Sequence, residues 1–147
     1  MDIVTETIKL GFPLGSYVVI GSGHIVALGL KDGHDIDILV KKTLFDKCKN
    51  EGWEVKKWTY PEMLGKIYLR KGIYELYLEA KIDDFKPTTD DLIQRAVLIG
   101  GVPFASLEDI LKLKRGYLKN NPKHLKDIEI IERYLASKSS TSRKDYV

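Results

Sequence analysis

The feature that most constrains this chain is the hexapeptide Asp-Ile-Asp-Ile-Leu-Val at residues 35–40, in which two acids alternate with apolar residues. Side chains along a β-strand alternate between its two faces, so Asp35 and Asp37 share one face while Ile36 and Ile38 point into the core. The two carboxylates lie roughly 6.5–7 Å apart along the strand and repel each other. A cation bound between them explains this arrangement. The alternative is a solvated strand face without a metal, which the apolar flanking residues disfavour.

A second apolar run precedes this segment and ends in a turn of small residues. Residues 17–20 predict a buried strand, and Gly21-Ser22-Gly23 predicts a strand-to-helix turn. The backbone N–H groups of such a turn and the Ser22 hydroxyl can bind a polyphosphate, although taken alone the segment could be only a tight turn. Gly21-x-Gly23 also begins the dinucleotide-binding fingerprint G-x-G-x-x-G. Val26 occupies its sixth position, where Gly or Ala is needed, so that fingerprint fails.

The remaining segments predict a strand-rich first two-thirds and a helical last third. We predict strands at residues 53–60, 65–70 and 73–79, helices at 44–50, 90–99, 106–118 and 123–136, and a short extended link at 102–105. The predicted N-caps of the first and third helices are Thr43 and Ser106. The fold class is therefore α/β (α+β), a mixed β-sheet flanked by helices with C-terminal helices. We expect one domain over residues 1–136 and a flexible polar tail over 137–147.

A third carboxylate is the missing part of a metal site built on Asp35 and Asp37. Phosphoryl transfer commonly uses two Mg²⁺ ions about 3.5–4 Å apart. Mg²⁺ prefers carboxylate oxygens, waters and substrate phosphates. Glu75, on the predicted strand at residues 73–79, is the best candidate for the third ligand, and Glu79 on the same face is the second choice. Glu75 could equally be an ordinary exposed strand acid.

Composition limits the classes of protein that remain open. Hydrophobic residues make up 44% of the chain and charged residues 31%, as in ordinary folded domains. A net charge of +3 is compatible with a phosphate-bearing ligand and too weak to indicate nucleic-acid binding. The single cysteine, Cys48, cannot form an internal disulfide, and no apolar run approaches the ~20 residues that span a bilayer. We expect a cytoplasmic protein with no membrane association.

Together these motifs resemble the signature of the DNA polymerase β-like nucleotidyltransferase superfamily, in its small, minimal-type bacterial and archaeal members. That signature is Gly-Ser after a hydrophobic residue, a gap of about twelve residues, then acid-hydrophobic-acid-hydrophobic; Gly21-Ser22 and residues 35–38 match it. Residues 102–114 also resemble the helix that follows the family's core. Lys126-Asp127 resembles a Lys-Asp pair on the next helix. The resemblance runs from about residue 17 to residue 135.

The resemblance implies a Mg²⁺-dependent enzyme that transfers an NMP group from an NTP, ATP by default, to a hydroxyl acceptor and releases pyrophosphate. Asp35, Asp37 and Glu75 would be the metal ligands and catalytic acids. Gly21, Ser22 and Lys114 would bind the nucleotide. The acceptor could be a protein, a tRNA or a small molecule such as an aminoglycoside, and a homodimer or a partner subunit could complete its cleft.

Two departures from the family pattern keep other functions open. The third acid is usually Asp rather than Glu, and the chain leaves no large second domain to hold an acceptor. One alternative is a catalytically inactive nucleotidyltransferase-like module that binds a nucleotide or a partner protein. A metal-dependent nuclease is a weaker alternative, and it would cleave nucleic acid without any NTP.

Overall fold

The computed structural model describes residues 1–59 and 65–145, with side chains described as far as residue 138. Within these ranges seven strands form one mixed sheet and six helices pack around it. The strands are β1 (Tyr17–Val19), β2 (Ile36–Val40), β3 (Glu54–Lys57), β4 (Ile67–Lys71), β5 (Tyr74–Tyr77), β6 (Val97–Ile99) and β7 (Val102–Phe104). The helices are α1 (Ile3–Ile8), α2 (Gly23–Ala27), α3 (Lys42–Asn50), α4 (Thr89–Gln94), α5 (Leu107–Tyr117) and α6 (His124–Asp145). The strand order is β3-β4-β5-β2-β1-β7-β6, which confirms the predicted fold class.

The central strands β1 and β2 separate two hydrophobic clusters. Ile36 and Ile38 are fully buried in the cluster that also contains residues of α1 and α3, as the alternation predicts. Val18 and Leu39 are buried in the opposite cluster with residues of α5 and α6. Successive side chains of a strand point to opposite faces, so Asp37 lies on the α5–α6 side of the sheet.

The pairing of β2 determines which residues meet at the site. This strand is antiparallel to β1 and parallel to β5, and its register places Asp37 directly opposite Glu75. The next strand, β4, is antiparallel to β5 and places Arg70 opposite Glu75 on its other side. Arg70, Glu75 and Asp37 therefore form a row across three neighbouring strands.

The prediction of one helix over residues 90–99 is wrong. Helix α4 has a capping box between Thr88 and Asp91 and ends at Gln94. The following residues form an antiparallel hairpin of β6 and β7 around Gly100 and Gly101, whose φ angles are 57° and 84°. The apolar run at residues 97–99 is too short for its pattern to distinguish a strand from a helix. The two glycines at positive φ form the turn that pairs this run with β7. The predicted link at residues 102–105 is thus mostly strand β7.

Other boundaries differ by smaller amounts. Helix α3 begins at Lys42 after an N-cap at Lys41, so Thr43 is not its cap, whereas Ser106 does accept from the Asp109 N–H at the start of α5. Strand β3 ends at Lys57, and residues 60–64 lie outside the described part. Strand β5 ends at Tyr77.

The final helix is longer than the sequence pattern predicts. Helix α6 continues to Asp145, beyond the predicted end at residue 136. The division into a domain over residues 1–136 and a flexible tail remains a prediction. None of the helices in the described ranges combines the length and the apolar composition that crossing a bilayer requires.

Candidate active site

The three candidate metal ligands lie at one end of β2 and β5. Asp37 is half-buried on β2 beside Glu75 on β5, and Asp35 is exposed immediately before β2. Burial, together with the negative charges of Glu75 and Asp35, raises the pKa of Asp37 to about 7. The structure therefore brings these carboxylates close enough to repel one another, as the sequence predicts for Asp35 and Asp37.

Glu79, the second choice for the third carboxylate, lies beyond the end of β5. Its carboxylate pairs with Lys66 and, at 3.2 Å, with Lys81. It is not in register with Asp37, whereas Glu75 is. The geometry thus favours Glu75.

An arginine that the sequence patterns did not single out bridges two of the three acids. Arg70 Nη1 donates to Glu75 Oε1 at 2.5 Å, and its Nη2 lies 3.7 Å from Asp35 Oδ1. The Tyr77 hydroxyl donates to the other oxygen of Glu75. Burial and the nearby charges of Asp37 and Glu75 raise the pKa of Tyr77, so its hydroxyl stays protonated and remains a donor. The turn at residues 72–73, which joins β4 to β5, sets the register that places Arg70 opposite Glu75.

The acids have the right chemistry for Mg²⁺ but are not assembled as a ready-made site. Among the described side chains, no three of His, Cys, Asp or Glu are arranged to hold a metal ion. Two of the acids, Asp35 and Glu75, instead form ion pairs with Arg70. The carboxylate oxygens are the ligand type that Mg²⁺ prefers, and the crowding that raises the pKa of Asp37 is relieved by a cation. Asp35, Asp37 and Glu75 therefore have the type of ligand atom that Mg²⁺ binds.

The Gly21 turn touches the acidic group directly. Gly21 has φ of +67°, and a Cβ on it would stand 3.0 Å from Asp37 Oδ2. Only glycine allows both this backbone conformation and this close approach. The turn thus places the backbone at Gly21 and Ser22 beside the Asp37 carboxylate.

Four residues, which we term the lysine cluster, adjoin this turn: Ser22, Lys31, Lys114 and Asp127. Asp127 accepts from the Ser22 hydroxyl at 2.5 Å and from Lys31 at 2.7 Å, and it pairs with Lys114 at 3.0 Å. Lys114 and Asp127 are buried. Burial alone would raise the pKa of Asp127, but the hydrogen bonds from Lys31 and Ser22 and the charge of Lys114 lower it to about 2. Asp127 is therefore an ionised carboxylate that fixes two lysines at one place.

A cavity of about 490 Å³ connects Asp37 with the lysine cluster. Its walls also include Tyr77 and Glu79 from the sheet side and His124 from the start of α6. Burial and the neighbouring lysines lower the pKa of His124 to about 4, so the imidazole is neutral at pH 7. The positive charge of the cavity comes from its lysines. This volume falls within the usual range for small-molecule sites.

The structure thus brings most of the predicted site residues to one cavity. Gly21, Ser22, Asp37 and Lys114 line it directly. Asp35 and Glu75 lie next to Asp37, outside the lining. Lys31 was missed at the level of sequence, since its contact with α6 depends on tertiary packing and leaves no local pattern.

Gly21→Ala tests the close approach of the turn to Asp37. We expect a loss of about 1–2 kcal/mol of stability from the positive φ, together with displacement of the Asp37 carboxylate by the new methyl group. Gly11→Ala is the matched control, because Gly11 has φ of +65° and a methyl group added there would meet open space within 4 Å in the described part of the chain. Both variants should lose similar stability in thermal melts. Only Gly21→Ala should also lose Mg²⁺-dependent nucleotide binding, and equal binding by the two variants would contradict this role of Gly21.

The mixed seven-stranded sheet, the flanking helices and the C-terminal helices match a nucleotidyltransferase-like fold. A solved structure with this fold is that of ANT(2")-Ia in complex with adenylyl-2"-tobramycin. It is similar over 99% of this chain and 95% of that chain, with a TM-score of 0.53 and 18% sequence identity. At this identity the likeness is one of fold. No protein-family model matches the sequence, and no curated protein matches it significantly.

Proposed function

We propose that this protein is a Mg²⁺-dependent nucleotidyltransferase that transfers an NMP group from an NTP to a hydroxyl acceptor. The observation that carries the proposal is the juxtaposition, around one cavity, of Asp37, the tight Gly21-Ser22 turn and the lysine cluster. This reaction needs negatively charged side chains that hold metal ions and positively charged side chains that hold phosphates, and the two sides of the cavity supply them. The shared fold with ANT(2")-Ia agrees with this assignment.

The acidic side of the cavity would activate the acceptor. The acceptor oxygen attacks the α-phosphorus, the bond between that phosphorus and the bridging α–β oxygen breaks, pyrophosphate leaves, and the hydroxyl proton passes to Glu75. Asp35, Asp37 and Glu75 would hold Mg²⁺, which when bound supplies charge neutralisation on the attacking and leaving oxygens. Tyr77 orients Glu75 by donating to one of its oxygens.

The basic side of the cavity would hold the β- and γ-phosphates. Lys31 and Lys114 carry two positive charges against the single charge of Asp127, so the cluster keeps a net positive charge facing the cavity. Ser22 and the backbone at Gly21 adjoin the same space. Asp127 limits the motion of both lysines, which reduces the entropy lost when they bind phosphate.

For the substrates, ATP and a small hydroxyl compound are the first choices. The structure of ANT(2")-Ia contains adenylyl-2"-tobramycin, a small molecule carrying an adenylyl group. Protein and tRNA acceptors should be tested alongside small hydroxyl compounds, because a second copy or a partner subunit can supply further acceptor contacts.

The alternative function is a nucleotide-binding module without catalysis. The observation that favours it is the pairing of Asp35 and Glu75 with Arg70. Asp37 is then the one of the three acids that is left to bind a metal ion. Such a module would bind NTP through the lysine cluster and would not need Mg²⁺ or form pyrophosphate.

Calorimetric titration of the protein with each NTP, with and without Mg²⁺, tests the proposal. The Asp35→Asn/Asp37→Asn variant should lose the Mg²⁺-dependent binding, whereas Asp46→Asn, an exposed acid paired with Lys42 on α3, should keep it. The wild type should also transfer the label of an α-labelled NTP to an accepted hydroxyl compound and release unlabelled pyrophosphate. Binding that is independent of Mg²⁺, without pyrophosphate release on any acceptor class, would support the inactive module instead.

A further inference from the structure

We propose that Arg70 is an internal counter-ion that occupies the cation position between Asp35 and Glu75 in the metal-free protein and is displaced when Mg²⁺ binds. This inference rests on the proposed function, because it concerns the same three acids. It assigns to Arg70 a role in metal affinity. Arg70 would be a positioning residue and not a catalytic one.

The contacts of Arg70 place its charge between two of the candidate metal ligands. Its two terminal nitrogens reach different carboxylates, Nη1 at 2.5 Å from Glu75 Oε1 and Nη2 at 3.7 Å from Asp35 Oδ1. Arg70 is opposite Glu75 in the pairing of β4 with β5, and Asp37 is opposite Glu75 in the pairing of β2 with β5. The backbone of Arg70 therefore lies in the same cross-strand row as Glu75 and Asp37. No rearrangement of the backbone is needed to bring the guanidinium to these carboxylates.

The charge balance explains why such a counter-ion is useful. Asp35, Asp37 and Glu75 carry up to three negative charges in a small volume, and their mutual repulsion disfavours the metal-free fold. Arg70 offsets one of these charges. A divalent ion held by Asp35 and Glu75 would compete with both arginine contacts, so metal alone should bind weakly.

The exposure of Arg70 allows the exchange. Its side chain is 38% exposed, compared with 15% for that of Glu75, so the guanidinium can turn into solvent without being left in an apolar environment. A displaced arginine regains water as its partner. When Mg²⁺ displaces Arg70, the guanidinium therefore does not become a buried charge without a partner.

Metal titration of Arg70→Met provides the test, with Mg²⁺ alone as the probe and calorimetry as the measurement. We expect this variant to bind Mg²⁺ at least tenfold more tightly than the wild type. Without metal its melting temperature should be lower than that of the wild type. Added Mg²⁺ should raise the melting temperature of the variant by more than it raises that of the wild type. Arg70→Lys, which keeps the charge but cannot bridge two carboxylates, should show a smaller gain of about threefold. The lysine variant also decides the question if the methionine variant does not fold.

Arg115→Met is the matched control. It removes the same guanidinium charge, but the partner of Arg115 is Glu132, an exposed acid on α6 that does not line the cavity. Its metal affinity should equal that of the wild type. Unchanged or weaker Mg²⁺ binding by both Arg70 variants would overturn the inference, as would an equal gain in Arg115→Met.

The same experiment separates this inference from the proposed function. A wild type that binds Mg²⁺ together with ATP, while the Arg70 variants gain no affinity for Mg²⁺, refutes the counter-ion role alone. A wild type and Arg70 variants that bind no Mg²⁺ under either condition refute both.

Discussion

Asp37→Asn is expected to reduce nucleotidyl transfer by about a thousandfold, equivalent to about 4 kcal/mol of transition-state stabilisation. Of the three candidate ligands, Asp37 is the one that lines the cavity, adjoins the Gly21 turn and faces Glu75 across the sheet. Asparagine keeps the shape of the side chain but removes the charge that would attract a divalent ion. The rate of pyrophosphate release at saturating Mg²⁺ measures the effect.

The same substitution should stabilise the protein when Mg²⁺ is absent. Burial and the charges of Glu75 and Asp35 raise the pKa of Asp37 to about 7, so at pH 8 an ionised Asp37 opposes folding. Removing its charge should increase the free energy of unfolding at pH 8 by about 1–3 kcal/mol. Urea unfolding with a chelator present provides the measurement, and Asp46→Asn provides the control with an exposed acid. A less stable Asp37→Asn protein would show that the acids do not repel each other in the folded state.

Asp127→Asn should have the opposite consequence and destabilise the protein by about 3–5 kcal/mol, because it leaves Lys31 and the buried Lys114 without their anion. For a chain of this size the melting temperature should fall by about 6–20 °C. Nucleotide binding should weaken as well, since neither lysine is then held at the cavity. Glu132→Gln on the same helix is the control, because Glu132 forms an exposed pair with Arg115 and should change stability by less than about 0.5 kcal/mol.

The pH dependence gives this prediction a second readout. The ionised Asp127 has its pKa lowered to about 2, so its contribution to stability is complete above the unfolded value near 4. It is lost as the pH falls from about 4 to about 2. The stability difference between wild type and Asp127→Asn should therefore narrow over that range, and a constant difference would contradict the assignment. A Lys114→Met/Asp127→Leu variant should recover much of the stability but not the binding of triphosphate.

Local patterns in the sequence were sufficient for the parts of the site that lie on one segment. The period-two alternation placed Asp35 and Asp37 together and buried Ile36 and Ile38, because strand geometry fixes which side chains share a face. Gly21 was recognisable for a similar reason, since a glycine between a strand and a helix marks a backbone that other residues cannot adopt. Such features depend on neighbours in the chain.

Contacts between distant segments were not predictable in the same way. The approach of Asp127 to Lys31 depends on how α6 packs beside the turn after β1, which no periodicity encodes. The β6–β7 hairpin was missed because Val97-Leu98-Ile99 is too short for its apolar pattern to distinguish strand from helix. Arg70 was missed for another reason: the strand ends predicted at residues 70 and 73 imply a turn at 71–72, whereas the observed turn at 72–73 sets the register that pairs Arg70 with Glu75.

The pairing of β2 with β5 also determines when the acidic group forms during folding. Asp37 and Glu75 belong to parallel strands separated by α3, β3 and β4, so they meet only after a long loop has closed. The antiparallel pairings of β4 with β5 and of β3 with β4 involve shorter loops and can form earlier. The repulsion between Asp37 and Glu75 is then encountered late, when the rest of the sheet already favours the native arrangement. Arg70, brought to Glu75 by the earlier hairpin, would already be in place to reduce that repulsion as β2 docks.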